Sequence, residues 1–287
     1  MHLTGGVIAF VCARMLGPRH GKYDARGVAQ AIPAHNIPML VTGTFVLAFG
    51  WFGFNAGSTM SGNDTRLAVV AVNTMLAGSS GALLSCLHTW RRFGKPDVSM
   101  MCNGMLAGLV AITAPCAFVS SRSALTIGAI AGVLVVECTL FVERVLRIDD
   151  PVGAISVHGA NGLFGTLAVG IFADGTYGQG LNGVAGGVRG LLYGDAGQLA
   201  AAAIAIGCNV LYVGTLSYVS FALIDMLVGN RVTLADEVQG LDLAEMGMEG
   251  YAVDAGHSMP TLGAEAAYAF DDTQRPVSMA VPFPPRS

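Results

Sequence analysis

Six apolar runs, Ile37–Met60, Leu67–Leu87, Met100–Val119, Ala124–Val145, Val152–Phe172 and Leu199–Val228, leave this chain few folds to choose from. Each is long enough to cross a bilayer as a helix, which takes about 20 residues. Lipid permits no bare loop or open sheet edge along the way, because an unpaired backbone group finds no water there. The reading is therefore all-α, a polytopic membrane helical bundle. A seventh run, Val7–Leu16 with its lead-in, is too short to span and reads as the end of a helix. A secretory leader is the other reading of that terminus, but no Lys or Arg precedes the run and Gly5-Gly6 opens it.

Charges fall in clusters and leave long apolar runs between them. Only 12% of the residues are charged, against about 25% in a soluble domain. The 39 glycines fit the same picture, since small residues let helices pack closely where lipid supplies no hydrophobic drive. A net charge of −4 gives no basic footprint and argues against a nucleic-acid partner. The six cysteines (Cys12, Cys86, Cys102, Cys116, Cys138 and Cys208) are scattered singly through apolar stretches. Their spacing suggests neither a metal site nor a disulfide framework, and no cofactor is implied.

Basic residues set an orientation. Arg14, Arg19, Lys22 and Arg26 follow the first run, and Arg66 stands alone in the next gap. Arg91, Arg92 and Lys95 come next, then Arg122 alone, then Arg144 and Arg147, then Arg189 alone, and the tail carries Arg231, Arg275 and Arg286. Every second gap is rich in Lys and Arg, and those gaps face the cytoplasm by the positive-inside rule. The C-terminal tail then lies inside. The expected organisation is a transmembrane domain over residues 1–230 and a cytoplasmic tail over 231–287. Val232–Tyr251 reads as a segment able to pack on the membrane part, and the last thirty or so residues read as disordered.

Polar groups within a span are expensive and point to function. His158 lies in Ser156-Val157-His158-Gly159-Ala160-Asn161-Gly162, and His2 opens Met1-His2-Leu3-Thr4-Gly5-Gly6-Val7. Each histidine has a glycine four residues later, Gly162 and Gly6, one helical turn away. A pattern repeated on two helices is how internally duplicated transporters present a site at the repeat interface. Taken alone, either histidine also reads as a structural hydrogen-bonding group. A second constellation, Gly50-Trp51-Phe52-Gly53-Phe54-Asn55-Ala56-Gly57-Ser58, combines aromatic faces that attract cations with a hydroxyl. An aromatic stripe of this kind also serves as plain packing.

That nine-residue string resembles the signature of the ammonium transporter (Amt/Mep/Rh) family, in its Amt branch. The resemblance extends over His35-Asn36-Ile37-Pro38, the stretch from Asn103-Gly104-Met105 to Ala111-Ile112-Thr113, Asp149-Asp150-Pro151 and Gly240-Leu241-Asp242. It implies a homotrimer whose subunits each hold an apolar pore between two inverted five-helix repeats, followed by an eleventh helix. Met1–Leu16 then matches the end of helix five, and the six complete spans match helices six to eleven. His2 and His158 fall on the paired pore histidines, and Phe54 on the inner of two gating phenylalanines. Ser58 falls on the hydroxyl of the external ammonium site, with Trp51, Asn55, Gly57, Gly159 and Gly162 as supporting motif positions. The substrate implied is ammonium or ammonia, and a PII-type nitrogen regulator is the partner implied at the cytoplasmic face.

The resemblance also implies departures. Helices one to four have no counterpart here, nor do the outer phenylalanine, the tryptophan that caps the ammonium site and the aspartate upstream of the first histidine. Trp51 is not that tryptophan. Half of the pore wall has no source in this chain, and His2, as its second residue, is expected to be poorly held. The expectation is a fragment that does not conduct alone. A non-conducting sensor or regulatory subunit signalling through the tail is the alternative. In that tail Met246 stands where many relatives have histidine. Glu137, inside a predicted span, is read as facing water or Arg144. An intramembrane enzyme built on Ser58, Cys116 or Glu137 is disfavoured, because none has a histidine or carboxylate at a spacing that suggests a catalytic pair.

Overall fold

The computed structural model describes residues 1–176 and 186–250. Among them the architecture is helical, and the only β features are the isolated bridges Tyr23–Ala29 and Asp174–Arg189. The main helices are α1 (His2–Leu16), α2 (Ile37–Gly57), α3 (Arg66–Phe93), α4 (Val98–Thr113), α5 (Ser121–Arg144), α6 (a π-helical turn Ile155–Ala160 running into Asn161–Phe172) and α7 (Gly197–Val228). The chain divides into two compact units, Met1–Val232 and one that begins at Thr233. In the second, Thr233 caps the short helix α8 (Leu234–Gln239) by accepting from the Asp236 backbone N–H. Asp242 accepts from the Gly250 N–H at 2.9 Å. The disorder expected of the last thirty residues falls outside the described residues.

Helices α3, α4 and α5 make the centre of the first unit, and they meet through small residues. A Cβ added to Gly108 would lie 2.2 Å from the Ala77 carbonyl oxygen, and one added to Gly132 would lie 2.2 Å from that of Gly81. Only a hydrogen fits at such crossings. Around them Val70, Ala77, Leu109, Ile112, Ile127, Ala131 and Val135 form a continuous apolar core. Helices α2 and α7 instead expose most of their surface and bury few residues, among them Trp51 and Asn55 on α2 and Ala202 and Ser217 on α7.

Five helices are long and apolar enough to cross a membrane. The expected span Met100–Val119 is not one of them, because α4 stops at Thr113. Pro115 cannot continue the helical hydrogen-bond ladder, and the chain turns through residues 114–119 while Cys116, Ala117 and Val119 stay buried. The Asn73 side chain on α3 makes this irregular stretch possible. Its amide donates to the carbonyls of Cys116 and Val119, each at 2.9 Å, while its Oδ1 accepts from the Ser121 hydroxyl at 3.1 Å. Buried non-helical backbone persists only where protein groups satisfy it. The other helices match the predicted runs within a few residues, although α3 extends on to Phe93.

Ion pairs gather three of the basic gaps at one end of the bundle. Arg92 at the end of α3 pairs with Glu137 on α5 at 3.0 Å. Lys22, after α1, pairs with Glu143 near the end of α5 at 2.5 Å. Arg19 grips Asp149, just after α5, through Nε at 2.7 Å and Nη2 at 2.9 Å. The guanidinium of Arg231 donates to the carbonyls of Leu16 and Pro18, which brings the end of α7 to the same place. Glu137 therefore meets Arg92 and His88, the latter at 2.6 Å, rather than Arg144. The His88 partner of Glu137 was not legible from spacing, since the two residues lie 49 positions apart.

Candidate functional site

His2 is the first residue of α1, and its ring is well held despite its place in the chain. It stacks on His158 with centroids 5.4 Å apart and planes inclined by 23°, and on Trp51 at 5.2 Å and 17°. Phe54 leans against it at 5.6 Å and lies 6.2 Å from Trp51. Four rings from three helices thus form one cluster: α1 supplies His2, α2 supplies Trp51 and Phe54, and α6 supplies His158. Trp51 and Phe54 share a face of α2 because they are three residues apart.

The two histidines meet because their helices cross at glycine. A Cβ on Gly6 would fall 2.1 Å from the Gly159 backbone and 2.7 Å from the carbonyl carbon of His158. Reciprocally, a Cβ on Gly162 would fall 2.6 Å from Leu3 N and 3.0 Å from the carbonyl carbon of His2. Each glycine of the repeated pattern makes room for the backbone beside the other histidine, so the spacing has a geometric reason on both helices.

The start of α6 is fixed from outside the crossing. The Asp150 carboxylate accepts from the backbone N–H groups of Ala154 and Ile155, each at 2.8 Å, and so caps the helix that carries His158. Its neighbour Asp149 holds Arg19, which follows closely on Gly17, the residue that ends α1. The end of α1 is thereby tied to the segment that leads into α6. Burial pushes the Asp149 carboxyl up, but the side-chain and backbone hydrogen bonds from Arg19, with Lys22 beyond, hold it below the ordinary carboxylate value. Within α6, the Asn161 amide donates to the Ser156 carbonyl at 2.9 Å across the π-helical turn. Turns of this kind often mark functional positions in helices.

The remaining predicted residues divide by what they touch. Asn55 is buried and donates to the Thr74 hydroxyl at 3.0 Å, which ties α2 to α3. Ser58 is exposed at the end of α2, and its hydroxyl donates to the Phe54 carbonyl at 2.6 Å. Gly57 has open space around it, so packing does not demand a glycine there. Cys116 donates weakly from Sγ to the Thr113 carbonyl at 3.3 Å. Sequence reasoning missed Thr113 as an individual. Its hydroxyl oxygen lies 3.2 Å from His2 Nε2 and accepts from the Trp51 indole N–H at 3.1 Å. A lone hydroxyl in an apolar run was the available signal. No group of three metal-ligating side chains gathers among the described residues.

The bundle of apolar helices, without a sheet among the described residues and crossing at glycines around stacked histidines, defines a polytopic membrane protein with a polar pair set in an apolar, aromatic wall. Residues 1–251 match the Ammonium Transporter Family, and the chain belongs to that family. It is 46% identical over 251 residues to Ammonium transporter Amt2 of Archaeoglobus fulgidus, covering 88% of this chain and 53% of that protein. It is 35% identical over 282 residues to Ammonium transporter Amt1 of Haloferax mediterranei, covering 94% and 51% respectively. A solved structure called "Sensor Amt Protein" superposes with a TM-score of 0.76 at 36% identity, over 85% of this chain and 57% of the other. Mep2 of Saccharomyces cerevisiae superposes with a TM-score of 0.72 at 27% identity, over 81% and 51%. The chain spans about half the length of the curated relatives it matches.

Proposed function

We propose that this chain contributes half of a path for ammonium or ammonia across a cell membrane, with His2 and His158 as the polar pair of the pore. The observation that carries the reading is the His2–His158 stack, with Trp51 and Phe54 packed against the His2 ring. An intact ammonium ion loses its hydration in such an apolar passage at a cost of many kcal/mol. A neutral ammonia molecule loses far less. The ion therefore gives up its proton before the ring cluster, and ammonia passes the histidines. The paired imidazoles relay the released proton, so net ammonium transport, and the current it carries, depends on both routes. Each neutral imidazole has one donor and one acceptor nitrogen, suited to a molecule that both donates and accepts. Potassium has no proton to give up and is excluded.

In this reading Phe54 gates the pore and Ser58 belongs to the external ammonium site. The Ser58 proton is engaged by the Phe54 carbonyl, so its oxygen is left to accept from an ammonium N–H. Residues 1–230 form the transport domain, and 231–287 form a cytoplasmic tail. The functional assembly is a homotrimer in the plasma or inner membrane, with a PII-type regulator at its cytoplasmic face. The test is ammonium-dependent growth and ammonium-evoked current in a host lacking its own transporters, using the longest natural form of the protein. Growth and current that disappear in His158→Ala support the pore. An unchanged response in that variant overturns the role given to the histidines.

A second reading, a non-conducting sensor that signals through its tail, draws support from the likeness to the structure called "Sensor Amt Protein". Ammonium binding without current, together with ammonium-dependent capture of a partner by the tail, is the outcome that favours it.

A further inference from the structure

We propose that Thr113 is a positioning residue that decides which nitrogen of His2 carries the proton. A hydroxyl has one proton and two lone pairs. Three groups contact the Thr113 oxygen: the Leu109 carbonyl at 2.7 Å, the Trp51 indole nitrogen at 3.1 Å and His2 Nε2 at 3.2 Å. A carbonyl can only accept, so the shortest contact takes the hydroxyl proton, in the local back-bond that Thr commonly makes to the residue four earlier. An indole N–H can only donate, and it occupies one lone pair. The second lone pair faces His2 Nε2. Two lone pairs would repel at that distance, so His2 donates there and its neutral ring is the Nε2–H tautomer.

The consequence is directional. Protons of Trp51 and His2 both point into Thr113, and Thr113 points into the α4 backbone. Nδ1 of His2 is then left with its lone pair, as the atom that accepts from an N–H donor. In a pore this makes His2 an acceptor toward ammonia at a defined atom. That functional weight rests on the pore reading above, whereas the tautomer itself rests only on the three contacts. The hydroxyl also holds the two rings of His2 and Trp51 to one oxygen, which favours their stacked arrangement.

The test is nitrogen NMR of the histidine-labelled full chain in lipid bilayers, with the His2 signals identified by their loss in His2→Gln. The expected spectrum has a pyrrole-type Nε2 and a pyridine-type Nδ1 at His2. Thr113→Val, which keeps the shape and removes the lone pairs, shifts much of the population to the Nδ1–H tautomer. Thr113→Ser restores the native pattern. A pyridine-type Nε2 in the native chain overturns the proposal without any substitution being needed. Retention of the native tautomer in Thr113→Val overturns it as well. If the native pattern appears and depends on Thr113 while no assay detects ammonium transport, the tautomer stands and the pore reading falls.

Discussion

At the scale of single residues, the crossing of α1 and α6 depends on side chains kept to a single hydrogen. Gly6 and Gly162 leave room for backbone, and a methyl group at either position meets main-chain atoms that cannot rotate away. Gly6→Ala is expected to destabilise the protein by about 1–3 kcal/mol, the usual range for overpacking. Gly50→Ala, on an open face of α2, is expected to be neutral or to stabilise by about 0.5–1 kcal/mol through backbone entropy. Thermal unfolding in detergent compares the two. Equal midpoints would show that the close approach at Gly6 does not govern packing.

Elements are positioned by side chains that complete what their backbones leave open. Asn73 satisfies two carbonyls in the turn between α4 and α5. Asn73→Leu leaves them unpaired and is expected to cost about 1–3 kcal/mol for each buried group stranded. Faster amide exchange across residues 114–120, with α7 unaffected, is the signature to look for. The Arg19–Asp149 pair ties α1 to the start of α6 and carries a pH dependence. Asp149 has its carboxyl held below the ordinary value, so the stabilisation is present above the unfolded-state value and is lost as pH falls through the lowered folded value. Asp149→Asn is expected to lower stability at neutral pH and to flatten its decline in that acidic window. The Arg19 side chain keeps 38% of its surface in solvent. Arg19→Ala is therefore expected to cost about 1–3 kcal/mol, less than breaking a fully buried pair. A stability profile of native and variant protein against pH checks both, and an unaltered acid limb in Asp149→Asn would count against the assignment.

For the whole molecule, the ion pairs at one end of the bundle bear on its orientation. Arg19, Lys22, Arg92 and Arg231 all join contacts at that end, and basic ends face the cytoplasm. Reporter fusions after Lys95 and after Arg147 are expected to read as cytoplasmic, and a fusion after Gly62 as external. One side for all three would contradict the alternating path. The helices themselves were legible because apolar length is a strong signal, whereas the expected span Met100–Val119 ran past the end of α4, which Pro115 marks. A buried turn is as apolar as a helix, and Asn73, the residue that allows it, lies 43 positions from Cys116 in the chain.

Length, pattern and motif by themselves determined an all-α membrane bundle and its family, and singled out His2 and His158 as the pair to examine, because lipid restricts what apolar runs can do and the repeated histidine–glycine spacing is local. Only the tertiary structure decided that the four rings touch, that Thr113 binds two of them, and that Glu137 belongs with Arg92 and His88. Those contacts join residues far apart in the chain, 49 positions for His88 and Glu137 and 111 for His2 and Thr113. No local propensity encodes such separations; the packing of helices at glycine crossings does.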